Sequence, residues 1–196
     1  MDGLSKPTKI AERCANIGVK SCALTDHGTI AGAVQFFQSM KSKGIKPILG
    51  CELYISHGDP TNKTKENSKL SHFLLLAKNQ KGWKNLVSIV SASNSPDNFY
   101  HKPRINFQQL QSLLDGNIIG FDGHLGSYLA DTILSDRDNG IKIGQEHVAM
   151  MTDIFGRNNY FLETQLMDRE ATPEQIELTN LIRSEEHTSE LQSRVD

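Results

Sequence analysis

The amino-acid sequence predicts an α/β protein in which short strands alternate with helices, in an open or barrel-like arrangement. Apolar residues recur at helical spacing in several segments, as they do on the buried face of a helix. Between these segments lie short runs rich in β-branched and aromatic residues, which are typical of buried strands. Because no internal repeat or linker interrupts the pattern, we expect one domain.

The first half of the chain predicts three helices and three strands. Ser5 is placed to cap a first helix that has Pro7 in its first turn and ends at Gly18. The second helix carries Ile30, Ala33, Val34 and Phe37 on its apolar face, and the third begins at Asn79 and carries Trp83, Leu86 and Ile89 on its inner side. Strands are predicted at 19–24, 47–55 and 72–77, and a polar, mobile surface loop at 56–70.

The second half continues the alternation. The predicted elements are a short helix at 106–114, a strand at 117–121, helices at 125–134 and 140–155, a strand at 160–164 and a helix that begins at Thr172-Pro173. Strands separated by helices favour parallel pairing, because parallel neighbours need a crossover connection. In such folds the functional side chains lie at the carboxyl ends of the strands.

Composition excludes several classes of protein. The chain has 196 residues, 37% of them hydrophobic and 22% charged, and a net charge of −2. This content can form a core, and it gives no basic footprint for nucleic acid. The longest unbroken apolar run, 73–77, is too short to cross a membrane, and residues 1–20 contain no secretory signal. Three cysteines outside any zinc-binding spacing are expected to be reduced thiols, so we expect a cytoplasmic protein without a membrane partner.

Candidate metal ligands follow or lie in the predicted strands. Asp26 and His27 follow the first strand, Glu52 lies in the second, His72 begins the third and His124 follows the fourth. Imidazoles and carboxylates are good ligands for zinc, manganese or iron, and neighbouring ions can bind a phosphate and activate water. Spacing alone leaves a second interpretation open, a hydrogen-bonded neutral imidazole or a solvated charge, because no short pair such as HxxxH is present. We assign no ligand role to His57, His101, His147 and His187.

A series of motifs, taken together and in order, resembles one family. The motifs are DGLSKP at 2–7, ALTDHG at 23–28, GIKPILGCE at 44–52, SHFLLLAKN at 71–79, GWKNL at 82–86, KPRI at 102–105, GHLG at 123–126 and YFLE at 160–163. They resemble the PHP (polymerase and histidinol phosphatase) domain at the N-terminus of bacterial and phage DNA polymerase III alpha subunits. The resemblance covers nearly all of residues 2–182.

The resemblance implies an incomplete, distorted (β/α) barrel of PHP type with a divalent metal cluster at its strand ends. The family's ligands match Asp2, His27, Glu52 and His72, and His124 falls where relatives carry Cys or His. The implied metal is Zn²⁺ or Mn²⁺ for this site, and Mg²⁺ for the parent polymerase. Arg104, in the KPRI motif, is a candidate substrate-binding residue.

Three functions follow from the resemblance. The first is a partial PHP domain of a DNA polymerase III alpha subunit, whose parent makes DNA and whose PHP site supports 3′–5′ exonuclease or other phosphoesterase hydrolysis. The parent's partners would be DNA, a proofreading exonuclease subunit and a sliding clamp. The second is a non-catalytic scaffold that docks the proofreading subunit, and the third is a stand-alone phosphoesterase for a small phosphate such as histidinol phosphate. The motifs GIKPILGCE and SHFLLLAKN favour the polymerase over the third function.

The chain also departs from the family pattern. The family's opening HxH motif lies a few residues before the position of Asp2, where this sequence begins, and its closing DxH motif is absent beyond Glu163. We therefore expect residues 1–182 to be a partial PHP domain. No residues remain for a polymerase palm, whose carboxylates hold the metals of nucleotide addition, so we expect no polymerase activity from this polypeptide alone.

The tail of the chain has an unusual sequence. Residues 183–193, RSEEHTSELQS, resemble the translation of a common sequencing-library adapter, and the family resemblance stops at Ile182. We predict that residues 183–196 are an assembly artefact without function, although Glu, Leu and Gln there favour continuation of the preceding helix. Sequencing an independently cloned copy of the gene with its flanking DNA should give a different continuation after Ile182. The same tail in that clone would contradict the prediction.

Overall fold

The computed structural model describes residues 5–136, 138–165 and 173–192, and it confirms the predicted α/β class. Within these ranges lie seven helices and five strands: α1 Pro7–Asn16, β1 Ser21–Leu24, α2 Ala33–Ser42, β2 Lys46–Ser56, β3 Leu70–Ala77, α3 Gln80–Ser93, α4 Phe107–Ser112, β4 Ile118–Asp122, α5 Tyr128–Ser135, α6 Gly140–Phe155, β5 Tyr160–Leu162 and α7 Pro173–Gln192. Every helix in these ranges is too short or too polar to span a membrane.

The five strands form one sheet in the order β1-β2-β3-β4-β5. Strand β1 pairs with β2 in parallel, from Ser21 opposite Lys46 to Leu24 opposite Leu49. Strand β4 pairs with β5 in parallel as well. Helix α2 crosses over between the first pair, and helices α5 and α6 between the second. The predicted parallel pairing is confirmed for both pairs.

The described residues divide into two compact units. The first contains residues up to Leu70 together with Leu74–Ile119, and the second contains Ser71–Phe73 and the residues from Gly120 onwards. The second unit has a core of five buried residues, Leu129, Ala130, Ile133, Leu178 and Ile182. Helix α7 continues past Ile182 into the tail, as the helix propensity of the tail predicts.

The packing of α2 differs from the predicted apolar face. The helix buries Ala33, Phe36 and Met40, whereas Val34 and Phe37 are 66% and 43% exposed. Positions i, i+3 and i+7 lie on one helix face, and the core cluster of α1 and α2 receives that face. The helical period cannot choose between the adjacent residues Phe36 and Phe37, because either one completes an apolar stripe.

The helix starts agree with the sequence only in part. The predicted cap of α1 at Ser5 is wrong, because the N-cap is Lys6, which makes no side-chain capping bond, and Pro begins the helix. The predicted cap of α3 is confirmed. The Asn79 side chain accepts hydrogen bonds from the amides of Lys81 at 2.9 Å and Gly82 at 3.0 Å. All three cysteines are free, as expected.

Helix α3 packs closely against the segment before β4. A Cβ at Gly82 would stand 2.1 Å from the carbonyl oxygen of Asn117. The same carbonyl accepts a hydrogen bond from the Lys78 amide at 3.0 Å, so it cannot move away without losing a bond. Glycine at position 82 is therefore required for this close approach.

We expect Gly82→Ala to lower the free energy of unfolding by about 2–3 kcal/mol, because the added methyl group overpacks a backbone contact. The higher helix propensity of alanine would alone raise the free energy of unfolding by about 1 kcal/mol. The sign of the measured change therefore separates overpacking from helix propensity. Urea unfolding of the full chain measures it. The matched control is Lys84→Ala, at an exposed position of the same helix, which should change stability by less than about 0.5 kcal/mol.

Candidate functional site

The candidate ligands His27 and Glu52 lie side by side in the first unit. Strand β1 ends at Leu24, but parallel pairing with β2 resumes as an isolated bridge between His27 and Glu52. The Glu52 amide donates to the Asp26 carbonyl at 3.0 Å, and the Gly28 amide donates to the Glu52 carbonyl at 2.8 Å. His27 Nδ1 lies 3.5 Å from Glu52 Oε2, and the two side chains are 38% and 16% exposed. The backbone thus fixes the pair while leaving it accessible to solvent.

Gly28 lets the chain turn directly after His27. Its φ is +64°, and a Cβ there would stand 2.5 Å from Cγ of Pro103 and 3.2 Å from Cε2 of Tyr54. The Tyr54 ring stacks beside that of His27, with 6.4 Å between centroids and 22° between planes. Pro103 and Tyr54 therefore pack beside His27, and only glycine fits between them.

The candidate ligands His72 and His124 form a pair in the second unit. The His72 amide donates to the Gly126 carbonyl at 2.8 Å, and a parallel bridge joins His72 to Ser127. The Ser127 amide in turn donates to the His124 carbonyl at 2.9 Å. These bonds hold the two imidazole centroids 6.0 Å apart.

The nitrogens of these two imidazoles line a small gap at Gly126. A Cβ at Gly126 would lie 3.5 Å from both His124 Nε2 and His72 Nδ1. His124 Nε2 is buried and has no hydrogen-bond partner among the described residues. Burying a polar atom without a partner costs about 1–3 kcal/mol, and an ion bound there would remove that cost. The donor type, the burial and the gap all fit a metal ligand.

A buried carboxylate supports the segment that carries His124. Asp122 is fully buried at the end of β4, and its Oδ1 accepts from the Gly123 amide at 2.8 Å. Its Oδ2 lies 2.8 Å from His147 Nε2 and accepts from the Tyr160 hydroxyl at 3.3 Å. Burial and the Asp122 charge raise the pKa of Tyr160, so its hydroxyl remains a donor at neutral pH. The network joins β4, β5 and α6 two residues before His124.

The contribution of His147 was missed by the sequence analysis, which gave it no role. His147 is 5% exposed and lies on the face of α6 that also buries Gly144 and Met151. Its position in this stripe was visible in the sequence, because buried residues of a helix recur at spacings of three and four. Its partner could not be found in that way, since Asp122 lies on another element.

Arg104, which the sequence predicts to bind substrate, has a structural position. The side chain is fully buried. It donates to three backbone carbonyls, from Nε to Asn98 at 3.1 Å, from Nη1 to Asn67 at 3.0 Å and from Nη2 to Asn62 at 3.0 Å. A buried guanidinium used in this way does not reach a substrate from solvent. It anchors the loop at 56–70, which the sequence predicted to be mobile.

Within each unit, the structure brings two of the predicted ligands together. His27 and Glu52 lie together in the first unit, and His72 and His124 lie together in the second. Asp2 lies outside the described residues. Convergence of the five on one cluster stays a prediction.

Comparison with known proteins matches the chain to one family model and to several curated proteins. A family model described as PHP domain matches residues 1–166. The DNA polymerase III subunit alpha of Helicobacter pylori is 42% identical over 118 residues, which are 60% of this chain and 10% of that protein. That of Chlamydia pneumoniae is 33% identical over 168 residues, which are 85% of this chain and 13% of that protein. A solved structure of a candidate metal-dependent phosphoesterase from Bifidobacterium adolescentis has a TM-score of 0.42 and 11% identity, over 82% of this chain and 81% of that one. The chain thus spans only about a tenth of the length of the curated relatives.

We expect Arg104→Met to lower the free energy of unfolding by about 3 kcal/mol, because the charged hydrogen bonds from the buried side chain to three backbone carbonyls are lost. Arg104→Lys should also destabilise, since one ammonium does not reproduce the planar fork of donors. Denaturant unfolding measures both variants, with Arg13→Met at an exposed position as the control. An Arg104→Met variant as stable as the wild type would show that the loop does not depend on these bonds.

Proposed function

The chain belongs to the PHP domain family, and from this we propose that it is part of a DNA polymerase III alpha subunit in which it hydrolyses phosphate ester bonds with a divalent metal. The observation that carries the hydrolytic part is the pairing of His72 with His124. The buried Nε2 of His124 lacks a hydrogen-bond partner among the described residues. The polymerase context is supported by the relatives named DNA polymerase III subunit alpha.

The activity of the whole protein is part of the proposal. Because the chain spans 10–13% of these relatives, nucleotide addition, its Mg²⁺ and its DNA substrate belong to the remaining length. A proofreading exonuclease subunit and a sliding clamp are the proposed protein partners. A cytoplasmic location follows from the same proposal, because bacterial DNA replication takes place there.

The proposed metal ligands are His27 and Glu52 from the first unit and His72 and His124 from the second, with Asp2 as a further ligand. Imidazole and carboxylate donors suit Zn²⁺ or Mn²⁺. When bound, a divalent ion supplies Lewis-acid polarisation of a phosphate oxygen and lowers the pKa of water. The chain supplies the orientation of its own ligands, because ligand geometry depends on the groups that surround each imidazole.

Each pair is oriented by different means. In the first unit, the bridge of β2 to the segment after β1 sets the position of His27, and Glu52 faces its Nδ1. In the second unit, backbone bonds through Gly126 and Ser127 hold His72 and His124 at a fixed separation. Backbone hydrogen bonds of the chain itself hold both arrangements, and ligands held in this way lose little freedom when an ion binds.

We expect the full chain to bind Zn²⁺ or Mn²⁺, and each of His27→Ala, Glu52→Ala, His72→Ala and His124→Ala to weaken that binding at least about tenfold, because each removes a proposed ligand. Isothermal titration calorimetry measures affinity and stoichiometry. His57→Ala, an exposed histidine without a predicted ligand role, is the matched control. If variants from both pairs weaken the same binding step, the ligands share one cluster.

The same measurement separates the enzyme from the scaffold. A wild-type chain that binds neither ion would contradict the hydrolytic proposal and favour the non-catalytic scaffold. Release of nucleotides from the 3′ end of labelled DNA, dependent on added Mn²⁺ and lost in Glu52→Ala, would support exonuclease activity. Hydrolysis of histidinol phosphate but not of DNA would favour the stand-alone phosphoesterase.

A further inference from the structure

An exposed cation lies beside Tyr54, the ring that neighbours His27. The ammonium of Lys102 is 4.4 Å from the centroid of the Tyr54 ring, and that ring also stacks beside the His27 imidazole. Lys102 makes no ion pair with any carboxylate of the described residues. The aromatic ring therefore has an unneutralised positive charge and a candidate metal ligand as its neighbours.

The turn that carries Lys102 has a strained backbone. His101 has a φ of +60°, and no other non-glycine residue in the described ranges has a positive φ. Such a conformation is unfavourable for a residue with a Cβ and persists only where the surrounding structure enforces it. Here the Tyr100 amide donates to the Lys102 carbonyl at 3.2 Å and closes the turn.

The residues after the turn fix its position next to the pair. Pro103 packs against Gly28, the residue that follows His27. The buried Arg104 side chain and the bond from the Ile105 amide to the Tyr54 carbonyl, 3.1 Å long, anchor the chain beyond it. Lys102 is therefore held in place by its backbone, while its ammonium remains exposed.

A purely structural explanation of Lys102 is weak. A cation beside an aromatic ring at an exposed site contributes little stability. Lys102 is exposed, and it donates no hydrogen bond to a buried polar group of the described residues. A phosphate oxygen is a suitable partner for such a charge, since lysine binds phosphate as a compact point charge. The sequence placed the substrate-binding cation at Arg104, and the structure presents Lys102 to solvent instead.

We propose that Lys102 is a substrate-binding residue that holds a phosphate group next to His27, with the Tyr54 ring as its support. The inference rests on the proposed phosphate ester hydrolysis and adds the residue that binds the substrate's phosphate. The phosphate can belong to a phosphodiester within single-stranded DNA or to a terminal phosphomonoester. Lys102 binds either one through its positive charge and its ammonium hydrogen bonds, without the metal.

The test is binding without metal. In the presence of EDTA, fluorescence anisotropy with a short labelled oligothymidylate and calorimetry with thymidine 5′-monophosphate measure the two phosphate classes. We expect Lys102→Ala to weaken binding about tenfold, because a charge-assisted hydrogen bond is lost. For the oligothymidylate, the slope of log Kd against log salt concentration should fall by about 0.7, the value for one phosphate contact on a single strand. Lys102→Arg should retain most of the affinity.

The controls separate this site from a general effect of charge and from the metal. Lys84→Ala removes one exposed positive charge from the same unit and should leave binding unchanged. Loss with only one of the two probes supports the inference and identifies the phosphate class. Equal binding of both probes by the wild type and Lys102→Ala overturns it, even if Zn²⁺ binding depends on His27. Loss with Lys102→Ala in a chain that binds no metal supports the phosphate site and contradicts the proposed hydrolysis.

Discussion

Backbone pairing beyond the ends of the regular strands is the constraint on which the candidate ligands depend. In the first unit, the bridge between His27 and Glu52 extends the parallel ladder past Leu24, and two amide-carbonyl bonds close it. Because these bonds fix the main chain, the side chains of both residues project from a rigid edge rather than from a free loop. The turn at Gly28, the packing of Pro103 and the position of Tyr54 all follow from this pairing.

In the second unit, a buried charge helps to position the segment that carries a candidate ligand. Asp122 ends β4 with no exposure to water, which is costly for a carboxylate unless hydrogen bonds surround it. The amide of Gly123, the ring of His147 and the hydroxyl of Tyr160 provide those bonds. Removing one partner leaves a buried charge poorly solvated, so this network is a sensitive point of the unit. It also sets the direction in which the chain leaves β4 towards His124.

Two cations of one short motif have opposite roles. Arg104 is buried and uses three nitrogens to bind the carbonyls of two loops, while Lys102 is exposed beside Tyr54. The planar guanidinium, with donors in a fixed fork, suits a site that must satisfy several carbonyls at once. The flexible ammonium suits a mobile or external anion. The two residues are therefore not interchangeable, although both carry a positive charge.

The local features of this protein can be predicted from its sequence. The alternation of helices and strands and the cap at Asn79 follow from periodicity and turn chemistry, which act over a few residues. The family motifs indicate which histidines and carboxylates are candidate ligands. Three features depend on tertiary packing: Phe36 rather than Phe37 enters the core, Arg104 is buried and His147 binds Asp122. Each of these depends on a partner distant in sequence, and no local pattern encodes which distant group will lie within hydrogen-bond reach.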